Sequence, residues 1–250
     1  MDLQLQGKTA LVTGASMGIG RAIAKMLAAE GVRCAVVARR RALLDELAAE
    51  IGQAGHPAPA VIEADVLPEA SPRKIAAEAL GALGRIDILV NSAGGSRSLP
   101  IDAPDERWTE ALTLNFTRLR QLTHAVLPGM MQSQWGRIVN ITGKSEPEGL
   151  NAAFPSKAAV HAWSKGLSRE IGRHGITINC IPPGRIMSEQ IRRNYPEDYR
   201  REHAQKEIPM GRYGEPEELA VLAVFLASPL AGYITGTVMP VDGGLRRYAF

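Results

Sequence analysis

Three glycines join a strand to a helix in Thr13-Gly14-Ala15-Ser16-Met17-Gly18-Ile19-Gly20, the stretch that decides the fold. An apolar run, Thr9-Ala10-Leu11-Val12, precedes it, and a helical sequence begins at Arg21. Unpaired backbone N–H groups and the helix dipole point at one place in such a turn, so it binds anions. The pattern therefore predicts a nucleotide pyrophosphate on the loop. Its expected contacts are Gly14, Ser16, Met17, Gly18, Ile19 and Gly20.

Length and composition predict one globular domain over residues 1–250. The 250 residues are 45% hydrophobic, and no linker, repeat or composition shift divides them. The net charge is only +3, aromatic residues make up 5% of the chain, and the sequence contains no run of basic residues interleaved with aromatic ones. These features argue against nucleic-acid binding. The N-terminus has no secretion signal and no apolar run reaches spanning length, so we expect a cytoplasmic protein that does not bind membranes. Cys34 and Cys180 lie in apolar runs and are expected to be reduced core residues.

Short apolar runs alternate with helical patterns from end to end. This alternation predicts a Rossmann-like α/β fold, a doubly wound parallel sheet with helices on both faces. The expected strands are residues 9–12, 34–37, 61–63, 86–90, 137–141, 177–181 and 238–241. The expected helices are residues 20–30, 41–52, 71–83, 108–131, 153–173 and 216–227. Residues 187–212, here called the covering segment, are polar and are expected to lie over the carboxyl ends of the strands, where ligands bind.

The end of the second strand favours NADP(H) over NAD(H). A carboxylate expected there would bind the ribose 2′-hydroxyl, but the sequence is Ala38-Arg39-Arg40-Arg41. Arginine offers forked, charge-assisted hydrogen bonds to phosphate oxygens. The same run could also be a solvated helix start, although cations are mildly unfavourable there. Arg39 is the best single contact for a 2′-phosphate, and Arg40 is next.

Several further motifs occur in the order found in the classical short-chain dehydrogenase/reductase family, which the chain resembles over nearly its whole length. They are the glycine loop, Asp65-Val66, Asn91-Ser92-Ala93-Gly94, Asn115, Lys157, Pro183-Gly184 and the ending 236–244. The ending and Pro209-Met210-Gly211-Arg212 resemble 3-oxoacyl-acyl-carrier-protein reductases. The resemblance implies an oxidoreductase, and a homodimer or homotetramer with residues 108–131 and 153–173 at the interface. It also implies cofactor contacts at Asp65, Val66, Asn91, Ala93, Gly94, Lys157, Pro183, Gly184, Ile186 and Ser188.

The sequence departs from this family at the catalytic tyrosine and serine. Family catalysis uses Tyr-x-x-x-Lys, but the residue four before Lys157 is Ala153. Alignment from Arg137-Ile138 places Gly143 where the serine is expected. A missing general acid costs about 10²–10⁴ in rate. The expected catalytic set is therefore Asn115 and Lys157, with a hydroxyl from Thr142 or Ser145 or a water in place of the phenol.

Six other side chains are weaker candidates for the proton donor. Each also has an ordinary structural explanation as a packing, interface or solvated loop residue. They are Tyr195, Tyr199 and His203 in the covering segment, His161 one turn after Lys157, and Glu146 and Glu148 around Pro147. A glutamate with a raised pKa would be able to donate a proton.

Two functions remain open from the sequence. The first is an NADP(H)-dependent oxidoreductase acting on a small carbonyl or alcohol, with an atypical active site. The second is a nucleotide-binding protein without turnover, a sensor or an inactive partner, which Ala153 and Gly143 favour. A lyase or hydratase that uses Glu146 or Glu148 is a more distant alternative, and no metal site is expected.

Overall fold

The computed structural model describes residues 1–96, 98–143, 146 and 149–248. Six parallel strands form one sheet in the order β3-β2-β1-β4-β5-β6. They are β1 (Thr9–Thr13), β2 (Arg33–Ala38), β3 (Ala60–Glu63), β4 (Ile88–Asn91), β5 (Gly136–Ile141) and β6 (Ile176–Ile181). The strand order reverses between β1 and β4, so a crevice opens at their carboxyl ends, where α/β sheets bind ligands. The predicted parallel α/β sheet is confirmed.

Nine helices connect or follow these strands within the described residues. They are α1 (Gly18–Ala29), α2 (Arg41–Gln53), α3 (Ser71–Leu83), α4 (Asp105–Leu112), α5 (Arg118–Gln132), α6 (Ala153–Ile171), α7 (Glu189–Asn194), α8 (Glu197–Glu207) and α9 (Pro216–Leu226). One apolar layer contains Leu27 of α1, Leu44 of α2 and Val224 of α9. The opposite layer contains Ile75 of α3 and Leu122 of α5. Both faces of the sheet are thus covered, which explains why the strands are apolar throughout.

Two expected elements differ from the structure. Residues 238–241 form no full strand; they lie beside β6 through isolated parallel bridges, Cys180 to Val238 and Pro183 to Val241. The expected helix over residues 108–131 is divided into α4, a π-helical turn at Thr113–Thr117, and α5. A π turn holds about one more residue than an α turn, so it moves the downstream apolar pattern by one position, and a shift of this size in a short segment does not by itself reveal the turn.

Burial accounts for the two cysteines as expected. Cys34 and Cys180 are both buried free thiols, which confirms that prediction. Desolvation raises the pKa of the Cys34 thiol to about 12, so this group stays protonated. Within residues 1–96, 98–143, 146 and 149–248, the helices are too short or too polar to cross a bilayer.

Candidate active site

The glycine loop forms a cradle between β1 and α1. Gly14 has φ +68°, and a Cβ there would lie 2.8 Å from the backbone nitrogen of Ala93, so only glycine fits this close approach. The N-cap residue Met17 is extended and makes no side-chain cap, and the first turn of α1 has no acidic residue. The first N–H groups of α1 therefore remain available to an anion. The residues fit a pyrophosphate.

The predicted clamp residues lie on the chain that leads from β6 back to the glycine loop. Pro183 pairs with Val241 in a parallel bridge, and Ile186 is buried and pairs with Gly214. Ser188 caps α7, because its Oγ accepts a hydrogen bond of 3.1 Å from the Ile191 amide. A Cβ on Gly18 would lie 3.8 Å from the Ser188 Cβ. This segment therefore reaches the glycine loop from the other side of the crevice, with Gly184 packed against Asp242.

The residues predicted for the adenosine end follow β2 and β3. Arg39 and Arg40 are exposed at the carboxyl end of β2. Arg40 Nη1 donates to Glu189 Oε2 on α7 at 3.2 Å, so this arginine already has an anionic partner. Asp65 Oδ1 accepts a hydrogen bond of 3.0 Å from the Leu67 amide and fixes the turn after β3. Val66 lines a small cavity with Asn91 and Ala93.

Asn91 connects the centre of the sheet to a helix. Its Nδ2 donates to Asn140 Oδ1 at 2.8 Å and to Thr123 Oγ1 at 3.1 Å, which links β4 to β5 and α5. The Thr13 hydroxyl accepts hydrogen bonds from the amides of Ser92 and Ala93. These buried polar groups are therefore satisfied by one another, and they hold the end of β4 against the glycine loop.

Asn115 and Lys157 flank the same point beside Gly94. A Cβ on Gly94 would lie 2.9 Å from both Asn115 Oδ1 and Lys157 Nζ. Asn115 lies in the π-helical turn, where its Nδ2 donates to Ala111 O at 3.0 Å and its Oδ1 accepts from the Gly95 amide at 3.1 Å. The structure thus brings together these two predicted catalytic residues from different elements.

Lys157 is a buried cation near its point of deprotonation. Its Nζ donates to the Ile141 carbonyl oxygen at 2.9 Å. Burial lowers the pKa of the ammonium from 10.5 to about 8, and the neighbouring Cys180 thiol opposes this effect. An amine with this pKa is a competent proton donor at neutral pH, because its acidity approaches the working pH.

The hydroxyl and alanine positions have a definite geometry. Thr142 is buried at the end of β5, and its Oγ1 shares a hydrogen bond of 2.8 Å with His161 Nε2. Burial, then the charges of Lys157 and Arg246, lower the pKa of His161. Ala153 is 4% exposed in the first turn of α6, one turn before Lys157. Ser145 and Glu148, the other predicted candidates on this loop, lie outside the described residues.

The aromatic candidates of the covering segment stack in a row. The rings of Tyr195 and Tyr199 are 5.3 Å apart, and those of Tyr199 and His203 are 5.7 Å apart. His203 Nδ1 lies 3.4 Å from the hydroxyl of the buried Tyr213. Tyr199 and His203 also line a cavity of about 500 Å³ beside Pro183 and Gly184.

The hypothesis of a raised pKa at Glu146 is wrong. The backbone amides of Arg247 and Tyr248 donate to its two carboxylate oxygens at 2.9 and 3.1 Å. The Arg247 amide contributes most to lowering the pKa of this carboxyl group, and the Arg246 and Arg247 charges add to it. Glu146 therefore acts as an anchor for the C-terminal tail, and it does not serve as an acid.

The tail itself was not singled out by the sequence, although it closes the cavity. Leu245, Arg246, Arg247 and Tyr248 line the cavity together with Glu207 of α8. A signal was present in the sequence, because two adjacent arginines follow the glycine turn Asp242-Gly243-Gly244. The same kind of argument that was applied to Arg39 and Arg40 applies to them.

Comparison with known proteins gives full-length matches. The family model described as enoyl-(acyl carrier protein) reductase matches residues 14–246. FabG of Aquifex aeolicus, a 3-oxoacyl-[acyl-carrier-protein] reductase, is 36% identical over 98% of this chain and 100% of that protein. The Pseudomonas aeruginosa RhlG/NADP complex superposes with a TM-score of 0.88 and 37% identity, covering 97% of this chain and 98% of that one. A 7α-hydroxysteroid dehydrogenase with NADH gives a TM-score of 0.92 at 31% identity, covering 97% and 96%.

Proposed function

The chain belongs to the classical short-chain dehydrogenase/reductase family, and we propose that it is an NADP(H)-dependent oxidoreductase that interconverts a carbonyl and an alcohol. The observation that carries the proposal is the placement of Asn115 and Lys157 on either side of Gly94, at the mouth of an open cofactor cradle. The full-length similarity to reductases and dehydrogenases supports the same class of reaction.

The preference for NADP(H) rests on the charge at the end of β2. Arg39 is exposed there and makes no hydrogen bond or ion pair with the described part of the chain, so its guanidinium is available to a 2′-phosphate. The similar RhlG structure contains NADP. The hydroxysteroid dehydrogenase of the same fold contains NADH, so the fold alone does not determine which cofactor binds. The preference for NADP(H) therefore depends on the positive charge at the end of β2.

The proton donor in this proposal is the Lys157 ammonium. The glycine loop at residues 14–20 and the Pro183-Gly184 segment would hold a nicotinamide cofactor, which would supply the hydride, and the protein would then have to place a proton on the carbonyl oxygen. Lys157 holds a proton on Nζ at a pKa of about 8, and in this proposal a water near Ala153, one turn away, passes the proton on. Asn115 Oδ1 accepts the Gly95 amide, and in this proposal it also orients the water. The Thr142 hydroxyl, bonded to His161, is the second possible source.

The proposal has three further parts. We propose that the chain forms a homodimer or homotetramer, acts as one domain over residues 1–250, and works in the cytoplasm. Residues 187–212, which contain α7 and α8, cover the substrate, since Tyr199 and His203 already line the cavity beside Pro183.

A nucleotide-binding protein without turnover is the second candidate. The observation that favours it is the pair of small residues at Ala153 and Gly143, which leaves no phenol or serine hydroxyl at the positions the family uses. In that case the cofactor cradle would be intact, and cofactor binding would serve a partner instead of a reaction.

Two measurements on the same samples separate the candidates. Titration with NADPH and NADH, followed by nucleotide fluorescence, tests binding; the loss of NADPH absorbance with a panel of ketones and aldehydes tests turnover. We expect both for the wild type and binding without turnover for Lys157→Ala. Arg39→Asp should shift the preference toward NADH. NADPH binding with no oxidation across the panel would favour the second candidate, and unchanged preference in Arg39→Asp would refute the cofactor argument.

A further inference from the structure

The cavity beside the nicotinamide clamp contains a cation that the proposed reaction does not use. Arg246 lines the cavity of about 500 Å³ together with Pro183 and Gly184, the predicted clamp on the nicotinamide side. A cavity of this size accommodates a small molecule. Pro183 follows β6, where Ile181 pairs with Ile141, and the Ile141 carbonyl accepts the hydrogen bond from Lys157, so the cavity lies at the same edge of the sheet as the predicted chemistry.

The guanidinium of Arg246 has unused donor capacity. Its Nε is buried and has no hydrogen-bond partner among the described residues. The nearest anion, Glu146 Oε1, is 3.7 Å away, which is too long for a hydrogen bond. A buried donor without a partner is costly, and native proteins keep few of them. Because Arg246 lines the cavity, a ligand oxygen there would bind the guanidinium of a side chain whose hydrogen-bonding capacity the described residues leave unused.

The other charges in the cavity wall are already paired. Arg247 Nη2 donates to Glu207 Oε2 at 2.6 Å. Glu146 accepts two backbone amides, and Asp242 accepts the amides of Gly244 and Arg246. The three carboxylates therefore hold the tail in place, and Arg246 keeps only a long ion pair of 3.7 Å with Glu146 among the described residues, which leaves its guanidinium able to bind a ligand anion.

The fold holds Arg246 in place on a short tail. Asp242 Oδ2 accepts the Arg246 amide at 3.1 Å, directly before the two amides that Glu146 binds. Leu245 packs against the buried cluster of Ala204, Ile208 and Tyr213. The position of the guanidinium is thus set by contacts on both sides, which is what a specificity residue requires.

We propose that the substrate carries an anionic group, a carboxylate or a phosphate, that binds Arg246 while its carbonyl faces Lys157. Arginine suits this role because its planar fork matches the oxygens of both groups. The inference that this anion is a substrate rests on the proposed oxidoreductase function. The anion site itself rests on the cavity and on the contacts of Arg246.

The test uses matched charged and neutral probes on the full-length protein with NADP⁺ present. The probes are linear oxo acids of increasing length, from pyruvate through levulinate, each with its methyl ester, and dihydroxyacetone phosphate with dihydroxyacetone. Calorimetric titration measures binding without turnover, and NADPH oxidation measures turnover separately. We expect at least one acid or phosphate to bind more tightly than its neutral partner, and the two arms identify which anion is preferred.

Three variants assign the effect to one side chain. Arg246→Gln should weaken binding of the preferred anion by roughly tenfold to a hundredfold and leave its neutral partner unchanged. Arg246→Lys should restore part of the loss. Arg107→Gln is the control, because Arg107 is exposed on α4, pairs with Glu110 and lies outside the cavity wall. It removes the same charge and should bind both probes as the wild type does.

The outcomes separate this inference from the proposed reaction. Anion binding that depends on Arg246 without NADPH oxidation would support the binding site and refute turnover. Oxidation of NADPH with acids and esters used equally would support turnover and overturn the inference. Equal loss of both probes in Arg246→Gln, or no anion bound more tightly than its neutral partner, would overturn it as well.

Discussion

Replacing Lys157 by methionine should make the free energy of unfolding respond differently to pH. The pKa of this buried lysine is lowered from 10.5 to about 8 in the folded protein. This lowering of the pKa corresponds to a cost of about 3 kcal/mol for keeping the ammonium charged in the folded protein. Below pH 8 the group is charged in both the folded and the unfolded state, so the full cost of burying the charge is present. Between about pH 8 and pH 10.5 the lysine is protonated in the unfolded state and neutral in the folded state, so the free energy of unfolding rises with pH over this range.

The magnitude follows from this linkage. The wild type should gain about 2–3 kcal/mol relative to Lys157→Met between about pH 7 and pH 10. The variant also loses the hydrogen bond from Nζ to Ile141 O, which leaves a buried carbonyl unpaired at a cost of about 1–3 kcal/mol. That cost does not depend on pH, so the change across the range isolates the ammonium.

Urea unfolding at several pH values, at one protein concentration, measures this difference. Lys165→Met is the matched control, because Lys165 is exposed on the same helix and loses little solvent on folding. It should follow the wild-type pH trend. A difference between the wild type and Lys157→Met that stays constant from neutral to alkaline pH would refute the reasoning, since the folded lysine would then not have a lowered pKa.

Two further predictions concern the residues around the predicted cofactor site. Gly94→Ala should lower turnover by about a hundredfold, because its Cβ would lie only 2.9 Å from Asn115 Oδ1 and Lys157 Nζ and would displace both side chains. Gly81→Ala on α3 is the control, since its Cβ would meet no atom within 4 Å; steady-state NADPH oxidation compares the two variants, and equal losses would contradict the geometry. Glu189→Gln should tighten NADPH binding by up to about fivefold and leave NADH unchanged, because Glu189 competes for Arg40 across an exposed ion pair. Fluorescence titration decides this, and an equal change for both nucleotides would remove Arg40 from the 2′-phosphate site.

Sequence reasoning predicted the elements whose signals are local. The strand and helix around the glycine loop are such a case, because apolar periodicity and glycine spacing are properties of short segments. The bridging of residues 238–241 to β6 was less readable, since it depends on a distant strand edge. The π-helical turn that holds Asn115 was missed because a one-position shift of the apolar pattern is not distinguishable from ordinary irregularity over so short a segment.

The candidate site was predictable from the sequence only where a motif marks a residue. The order of the motifs indicated Asn115 and Lys157, but the way they flank Gly94 depends on the packing of three elements. The role of Glu146 could not be read from the sequence, because its partners are backbone amides about 100 residues further along the chain. Arg246 was overlooked for a similar reason: only the folded tail places it in the cavity wall.

The most direct test of the proposed reaction is transfer of deuterium from NADPH labelled at the reactive nicotinamide carbon. The protein is incubated with the labelled cofactor and the carbonyl probes, and the products are analysed by mass spectrometry. The account predicts deuterium in the alcohol product with the wild type and none with Lys157→Met, which lacks the proton donor and whose fold is checked by circular dichroism. Bound NADPH with no deuterium in any product would contradict it, and the chain would then be a nucleotide-binding member of its family without redox turnover.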